Sequence, residues 1–238
     1  KVFSAENKNV TQPVAGTLPR FPNKNARQVL IVGQVANDYS LIEDGYPYIG
    51  SIAVYRTIID NILAETDYNI VFKAHPWEHK KTNIKSAKTF DALAAHIEEL
   101  PTEDRARVLL IEDFNLYDLI EQSDYFVTLC SQAGIEAAVL GLRPFILGQA
   151  FYSGAGFTVD CQDIETLTHA LRTEVGVQSV KSYQQLDRFL VDLFQYGTVS
   201  IHESGIAKIA LMLEQSSQIE QIVPMKREIQ LSQTEAVD

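Results

Sequence analysis

The sequence has few of the features that define a function class at once. Its two cysteines, Cys130 and Cys161, show neither metal-ligand spacing nor a disulfide framework, which favours a reducing compartment. It contains no run of eighteen apolar residues, so it predicts no membrane-spanning helix. Basic residues are in the minority, and the net charge of −11 argues against nucleic acid as the main partner. Glu78 and His79 are adjacent, but no further ligand follows at a metal-binding spacing, so we expect no metal.

The apolar content is sufficient for a sizeable core, since 46% of the residues are hydrophobic and 21% are charged. Short apolar runs predict buried strands at 29–33, 69–73, 107–111, 125–129 and 144–148. Helical periodicity predicts helices between them at 51–64, 86–100, 116–122 and 131–140. Ser51 is the expected N-cap of the first helix, and Gly141 is the expected C-cap of the last. The alternation predicts an α/β fold, a Rossmann-like parallel sheet flanked by helices.

The chain divides into four predicted segments. Residues 1–27 lack periodicity and predict an arm or linker, whereas residues 28–160 contain the Rossmann-like domain. Residues 161–215 predict C-terminal helices, at 163–172, 182–194 and 202–215, that complete the domain or cross from it. Residues 216–238 form a predicted polar tail. Because the first residue is lysine rather than methionine, we expect a piece of a longer chain.

The polar residues that follow the apolar runs are the candidates for a binding site, because ligands of an open parallel sheet bind beyond the carboxyl ends of its strands. They are Gln34, Asp38 and Ser40 after the first run, Lys73 and His75 after the second, Ser131 after the fourth, and the glycine-rich segment 148–156 after the fifth. The first of these loops contains neither Gly-x-Gly-x-x-Gly nor Gly-Lys-Ser. The dinucleotide and P-loop motifs are therefore excluded.

Each candidate also has a purely structural interpretation. Ser131 is either only a helix N-cap or also a phosphate ligand together with backbone N–H groups. Glu136 either faces solvent or accepts hydrogen bonds from a ribose. Lys73 and His75 leave the same side of an extended chain and can present donors to a phosphate, whereas a lone His-Pro is usually a turn. Asp38 is either a turn former or a carboxylate beside a reacting carbon.

Taken in order, the motifs resemble those of a known family. They are Gly33-Gln34-x3-Asp38-x-Ser40, Lys73-x-His75-Pro76, Ser131-x2-Gly134-x-Glu136-Ala137 and Gly148-x2-Phe151-Tyr152-x-Gly154-x-Gly156-x-Thr158. This set resembles the bacterial capsule polysaccharide biosynthesis family, which includes retaining β-Kdo transferases that use CMP-Kdo. The resemblance implies the C-terminal, nucleotide-binding half of a GT-B glycosyltransferase, with an N-terminal acceptor domain outside this chain.

The resemblance also implies roles for individual residues. Asp38 would be the nucleophile of a retaining transfer, with Gln34 as a second catalytic residue. Nucleotide binding would fall to Lys73, His75, Pro76, Ser131, Gln132, Gly134 and Glu136. Contacts to the donor or acceptor sugar would fall to Ser40, Tyr152, Gly154 and Gly156. The chain has Ala74 where the family usually has proline, and Ser153, Ala155 and Phe157 replace residues of its usual Tyr-Ala-Gly-Trp-Gly-Leu-Thr motif, which leaves the sugar open.

The implied partners are a CMP-sugar donor and a glycan or glycolipid acceptor, without a cofactor or metal. The implied location is cytoplasmic, and peripheral association with the inner face of the bacterial inner membrane is left open. Two alternatives remain. The first is another enzyme, either a UDP-sugar-dependent GT-B transferase or a nucleotide-sugar epimerase, since Ser-x2-Gly-x-Glu-Ala loops also occur there. The second is a non-catalytic sugar-nucleotide-binding module. The Lys-x-His-Pro element favours CMP, because it resembles the His-Pro motif of several bacterial sialyltransferase families.

Overall fold

A computed structural model gives the fold and describes residues 6–7, 10–11, 13, 16, 18–36, 38, 41, 50–76, 78 and 88–197. The strands are β1 (Glu6–Asn7), β2 (Val10–Thr11), β3 (Gln28–Val32), β4 (Asn69–Lys73), β5 (Val108–Ile111), β6 (Tyr125–Thr128), β7 (Phe145–Ile146) and β8 (Val159–Asp160). The helices are α1 (Ser51–Glu65), α2 (Lys88–Glu99), α3 (Thr102–Arg105), α4 (Leu116–Glu121), α5 (Ala133–Val139), α6 (Ile164–Thr173) and α7 (Val180–Asp192), followed by a π-helical turn at Leu193–Gly197.

The strands β3 to β8 form one parallel sheet in the order β5-β4-β3-β6-β7-β8, whereas β1 and β2 pair separately and antiparallel. From β3 the chain moves outward to β4 and β5. It then returns to β6 on the other side of β3 and continues to β7 and β8. The order therefore reverses between β3 and β6, which is where doubly wound sheets bind their ligands. The predicted Rossmann-like α/β fold is confirmed.

Both faces of the sheet are covered, which explains why its central strands are continuous apolar runs. On one face, Leu30 of β3 and Phe126 of β6 belong to a core cluster with side chains of α4 and α5. Successive side chains of a strand point to opposite faces. On the other face, Tyr55 of α1 meets Phe72 of β4 edge-on, with 4.9 Å between the ring centroids. All four side chains are fully buried, so the sheet is fixed from both sides.

The ends of two helices test the predicted caps. Gly141 follows α5 with a φ of +99°, and the N–H groups of Gly141 and Leu142 donate to carbonyls in the last turn of α5. This pattern is a Schellman motif, so the predicted C-cap is confirmed. The predicted N-cap of α1 is wrong. Gly50, with a φ of +108°, occupies the N-cap position, and Ser51 is already a buried residue of the first turn.

Other differences concern the edges of the fold. The strand β8 and the helix α3 were not predicted, because each is too short to produce a periodic pattern. Within the predicted arm, the Gly16 N–H donates to the Asp118 carboxylate of α4 at 2.8 Å, and Leu18 is buried. The predicted helix at 202–215 and the tail at 216–238 lie outside the described residues. None of the helices in the described ranges combines the length and the apolar character needed to cross a membrane.

The chain divides into two compact units, Lys1–Asp187 and Arg188–Asp238. The first contains the whole parallel sheet and all the candidate residues. Of the second, only residues 188–197 are described, and they comprise the end of α7 and the π-helical turn. The four segment boundaries proposed from the sequence stay predictions.

Candidate functional site

Gln34 lies at the switch point and joins the two strands on either side of it. Its side-chain oxygen Oε1 accepts hydrogen bonds from the Cys130 N–H at 2.9 Å and from the Cys130 thiol at 3.3 Å. Its backbone N–H donates to the Tyr55 hydroxyl at 2.9 Å. The side chain is only 4% exposed. Gln34 therefore connects the loop after β3 to the loop after β6, and its predicted catalytic role stays a prediction.

Asp38 lies in a turn four residues beyond Gln34. Its N–H donates to the Val35 carbonyl at 2.8 Å, and its carbonyl accepts from the Leu41 N–H at 3.0 Å. The residue is half-buried. Burial raises the pKa of the Tyr55 hydroxyl, and the carboxylate of Asp38 contributes to the same rise, so the two groups are near each other. Asp38 thus has the backbone of a turn former, and its carboxylate acts electrostatically on the Tyr55 hydroxyl. Ser40 lies outside the described residues.

Lys73 ends β4 with its ammonium group buried. The side chain is 7% exposed, and Nζ donates to the Glu112 carbonyl, beyond the end of β5, at 2.6 Å. Burial lowers the pKa of Lys73 to about 8, although the nearby charges of Asp113 and Glu112 act in the opposite direction. An ammonium carries three donor hydrogens, so the bond to Glu112 is compatible with a phosphate contact. Lys73 therefore already has a structural role in the protein.

Glu78 follows the His75-Pro76 turn and was not predicted as a functional residue. Its carboxylate accepts from the Ala36 N–H at 2.8 Å, from the Thr89 N–H at 2.9 Å and from the Thr89 hydroxyl at 2.6 Å. Its own N–H donates to the His75 carbonyl at 3.2 Å. The loops after β3 and β4 are therefore joined by one buried carboxylate.

Ser131 begins the loop between β6 and α5. Its hydroxyl oxygen accepts from the Ala133 N–H at 3.3 Å, which is the local capping role considered from the sequence. The exposed Gln132 precedes α5 and makes no side-chain capping bond. A hydroxyl accepts and donates at once, so the bond from Ala133 is compatible with a donor bond from Ser131 to a ligand. The structural and functional interpretations of Ser131 are not exclusive.

Tyr152 packs beneath the loop between β6 and α5 and bonds the backbone of Ser131. Its ring is fully buried, its hydroxyl donates to the Ser131 carbonyl, and burial raises its pKa. A Cβ added at Gly134 would overlap this hydroxyl and lie 2.9 Å from the ring carbon Cζ. Gly134 is thus required for the close approach of Tyr152. Contact of Tyr152 with a sugar, as expected from the resemblance, would require the ring to leave this position.

The glycine-rich segment after β7 is a turn fixed by an acidic residue. Gly154 and Gly156 have φ values of +76° and +89°, which side-chain-bearing residues rarely adopt. The Asp160 carboxylate accepts from the Gly154 N–H and from the Thr158 hydroxyl, each at 2.8 Å. The conformation of this segment explains both glycines, and their contact with a sugar stays a prediction.

Glu136 lies half-buried on α5 and faces α4. The Tyr117 hydroxyl of α4 is its neighbour, since burial and then the charge and hydrogen bond of Glu136 raise the pKa of Tyr117. Glu136 is therefore not simply a solvent-face residue. It lies in the first turn of α5 beside a tyrosine of the first turn of α4, and its role toward a ribose stays a prediction.

A cavity of about 490 Å³ lies at the opposite end of the sheet, where α1 leads into β4, and is lined by Ala64, Glu65, Thr66, Asp67, Tyr68 and Arg172. The carboxyl end of a helix carries partial negative charge. Two lining residues are acidic, and Arg172 pairs with Glu65 at 3.2 Å. This charge does not favour an anionic ligand, so the strand-end loops remain the candidate site.

The residues missed from the sequence are Glu78, Tyr55 and Cys130. Tyr55 has the spacing of a core residue on α1, and nothing in that pattern shows that its hydroxyl reaches Gln34. The Cys130 N–H is a backbone donor, which a side-chain pattern does not show. Glu78 was considered as a metal ligand and rejected, and its partners lie far from it in sequence. Among the described residues, no group of three or more His, Cys, Asp and Glu side chains is arranged to bind a metal ion.

Residues 5–191 match the family model of the capsule polysaccharide biosynthesis proteins. The chain belongs to this family. The resemblance inferred from the ordered strand-end motifs is therefore confirmed. The chain is also 30% identical, over 164 residues, to the lipopolysaccharide-processing protein LpsZ of Rhizobium meliloti, an alignment that covers 67% of this chain and 33% of LpsZ.

Two solved structures from Thermosulfurimonas dismutans are similar to this family member. The KpsC β-Kdo 2,4 transferase is 23% identical with a TM-score of 0.45, and the KpsC β-Kdo 2,7 transferase is 20% identical with a TM-score of 0.41. Each alignment covers 72% of this chain and 56% of the solved chain. The chain thus spans a third of LpsZ and just over half of each solved chain.

Proposed function

We propose that this chain is the donor-binding half of a glycosyltransferase of bacterial capsule or lipopolysaccharide assembly. The proposed donor is a CMP-activated sugar acid such as Kdo, and the proposed acceptor is a glycan or glycolipid, bound by a further domain. The observation that carries the proposal is the junction at the switch point, where Gln34 connects the loop of Asp38 to the loop of Ser131. Family membership and the match to a lipopolysaccharide-processing protein support it.

The proposed phosphate site is formed by His75, Lys73 and Ser131. Each belongs to a loop or strand end at the carboxyl edge of the sheet. Ser131 follows β6, beside the switch point, and Lys73 and His75 follow β4, the neighbour of β3. The Ser131 hydroxyl, the His75 ring and the Lys73 ammonium are all donors suited to phosphate oxygens. Glu136 is proposed to accept from the ribose hydroxyls.

Transfer with retention is proposed to proceed by two displacements. In the first, an oxygen of the Asp38 carboxylate bonds to the anomeric carbon while the bond from that carbon to the phosphate oxygen breaks and CMP leaves. In the second, an acceptor hydroxyl attacks the same carbon, its proton passes to water, and Asp38 is released as a carboxylate. Each displacement inverts the carbon, so the two together retain its configuration.

Calorimetric titration with CMP, UDP and CDP tests the nucleotide. We expect CMP to bind most tightly, and we expect Ser131→Ala and His75→Ala each to weaken CMP binding by roughly 1 to 2 kcal/mol, as for a hydrogen bond to a charged group. Ser123→Ala is the matched control, because Ser123 precedes the amino end of β6 whereas Ser131 follows its carboxyl end. Unchanged CMP affinity in both site variants would place the site elsewhere. Tighter binding of UDP would favour a UDP-sugar enzyme.

Two further measurements test the roles of Glu136 and Asp38. A site built to pair a ribose hydroxyl binds the deoxy analogue less well, so equal affinity for CMP and dCMP would remove the role of Glu136. Incubation of the complete protein with donor sugar, followed by peptide mass spectrometry, should detect a sugar adduct on the Asp38 peptide. An adduct on another residue, or full turnover by Asp38→Ala, would leave Asp38 as a turn former. CMP binding without transfer would favour a non-catalytic module.

A further inference from the structure

Glu78 is a carboxylate that is only 1% exposed. It belongs to the loop of His75 and bonds the loop of Asp38, and these two loops are proposed to bind opposite sides of the reacting carbon. We infer that Glu78 is a positioning residue, which fixes the loop of Asp38 relative to the loop of His75. The inference rests on the proposed function for the identity of the ligand. The bonds made by Glu78 themselves are independent of it.

The contacts of Glu78 reach three parts of the chain. On the side of Asp38, Oε1 accepts from the Ala36 N–H at 2.8 Å, two residues before Asp38. On the side of His75, the Glu78 N–H donates to the His75 carbonyl at 3.2 Å. At the start of α2, Oε2 accepts from the Thr89 N–H at 2.9 Å, which is one of the helical N–H groups without a partner in its own helix. Glu78 therefore ties both loops to the amino end of a 12-residue helix.

The charge of Glu78 matters as much as its position. Two N–H groups and the Thr89 hydroxyl, which donates at 2.6 Å, converge on two oxygens that only accept. A glutamine at this position has one oxygen, and in either orientation its NH2 group would face an N–H. One buried donor would lose its partner, and the cross-link between the loops would be weakened.

The consequence for transfer follows from the geometry of a double displacement. The nucleophile must attack the anomeric carbon from the side opposite the departing phosphate, so the distance between Asp38 and the phosphate ligands has to be fixed. Asp38 and His75 belong to different loops and lie 37 positions apart in sequence. Glu78 links the two loops because its side chain bonds the Ala36 N–H while its backbone N–H bonds the His75 carbonyl.

The test compares Glu78→Gln with two controls in the full chain. Asp163→Asn is the matched control, because Asp163 caps α6 through the N–H and hydroxyl of Thr166, at 2.7 and 2.6 Å, but joins no second loop in the described part of the chain. Thr89→Val removes one bond to Glu78 and leaves the bond from Ala36. Amide hydrogen exchange of the ligand-free protein and CMP affinity are measured for each.

We expect the Ala36 and Thr89 amides to be protected in the wild type. In Glu78→Gln, whichever of the two faces the NH2 group should exchange about tenfold faster, the effect of losing one hydrogen bond to a charged group. CMP affinity should fall about tenfold in this variant, and the turnover number of the complete protein about 100-fold, because a displacement of about 1 Å can cost that much. Both controls should keep Ala36 protection and CMP affinity within about twofold of the wild type.

Three results would overturn the inference. They are an unprotected Ala36 amide in the wild type, wild-type exchange and affinity in Glu78→Gln, and an equal loss of affinity in Asp163→Asn. The first needs no variant, so it decides the matter even if Glu78→Gln does not fold. If the wild type does not bind CMP at all, the proposed function fails, and hydrogen exchange alone decides whether Glu78 joins the loops.

Discussion

Replacing Lys73 by methionine should change how the free energy of unfolding depends on pH. The side chain of Lys73 is 7% exposed, and burial lowers its pKa from the ordinary 10.5 to about 8. The unfolded chain therefore binds more protons than the folded one between these two values. Below pH 8 the charged, buried Lys73 lowers the free energy of unfolding by its full amount. This destabilisation disappears as the pH rises toward 10.5.

The size of the effect follows from the two pKa values. With a pKa of about 8 in the folded protein and 10.5 in the unfolded chain, the ionisation of Lys73 should raise the free energy of unfolding by about 2 kcal/mol between pH 7 and pH 9.5. Methionine has a similar length and no charge, so its contribution should not vary with pH. The bond from Nζ to the Glu112 carbonyl is lost at every pH and changes only the offset between the two curves.

Urea denaturation of the wild type and Lys73→Met at several pH values between 7 and 9.5 measures the difference. Other groups titrate in this range, but they titrate in both proteins and cancel when one curve is subtracted from the other. Lys73→Arg is a second control, because a guanidinium stays protonated throughout. A difference between wild type and Lys73→Met that is constant to within about 0.5 kcal/mol would refute the argument that burial governs Lys73.

Three more predictions concern packing, helix capping and the ligand. Gly134→Ala should lower the free energy of unfolding by about 1 to 3 kcal/mol through overpacking, and Tyr152→Phe in the same background should recover part of the loss, as measured by urea denaturation. Arg107→Lys should cost about 2 kcal/mol in thermal denaturation, because the guanidinium of Arg107 bonds three carbonyls around the end of α1 and an ammonium cannot span them. CMP binding at pH 8 should take up protons in wild type but not in Lys73→Met, as shown by calorimetry in buffers of different ionisation enthalpy, if the phosphate lies beside Lys73.

The parallel sheet was predictable because burial on both faces makes each central strand a continuous apolar run. The runs at 29–33 and 69–73 correspond to β3 and β4, within one residue at each end. The edge strand β8 has two residues, of which Asp160 is exposed, so no apolar run marks it. The error at Ser51 has a local cause. A serine before an apolar helix is a common N-cap, but Gly50 takes a left-handed conformation and moves that position back by one residue.

The location of the candidate site was predictable to the level of loops. Polar residues at strand ends had to meet at one edge of the sheet once the strands were parallel. The direction of each side chain was not predictable, because it depends on partners that are distant in sequence. The Gln34 side chain bonds the backbone N–H of Cys130, and the Tyr152 hydroxyl bonds the Ser131 carbonyl. From the sequence alone, either side chain could have faced a ligand. Glu78 shows the same limit, since Ala36 and Thr89 are 42 and 11 residues away.

The acidic character of the chain is compatible with an anionic ligand at two of the carboxylates near the proposed site, Glu78 and Asp160. The net charge of −11 would repel a sugar nucleotide if the charges were exposed around the binding loops. Glu78, however, accepts from two N–H groups and a hydroxyl, and Asp160 accepts from an N–H and a hydroxyl. Each carboxylate thus faces donors of the protein and fixes a loop. The proposed recognition of a phosphate would then rest on short-range donors, since these two carboxylates are already bonded to donors of the protein.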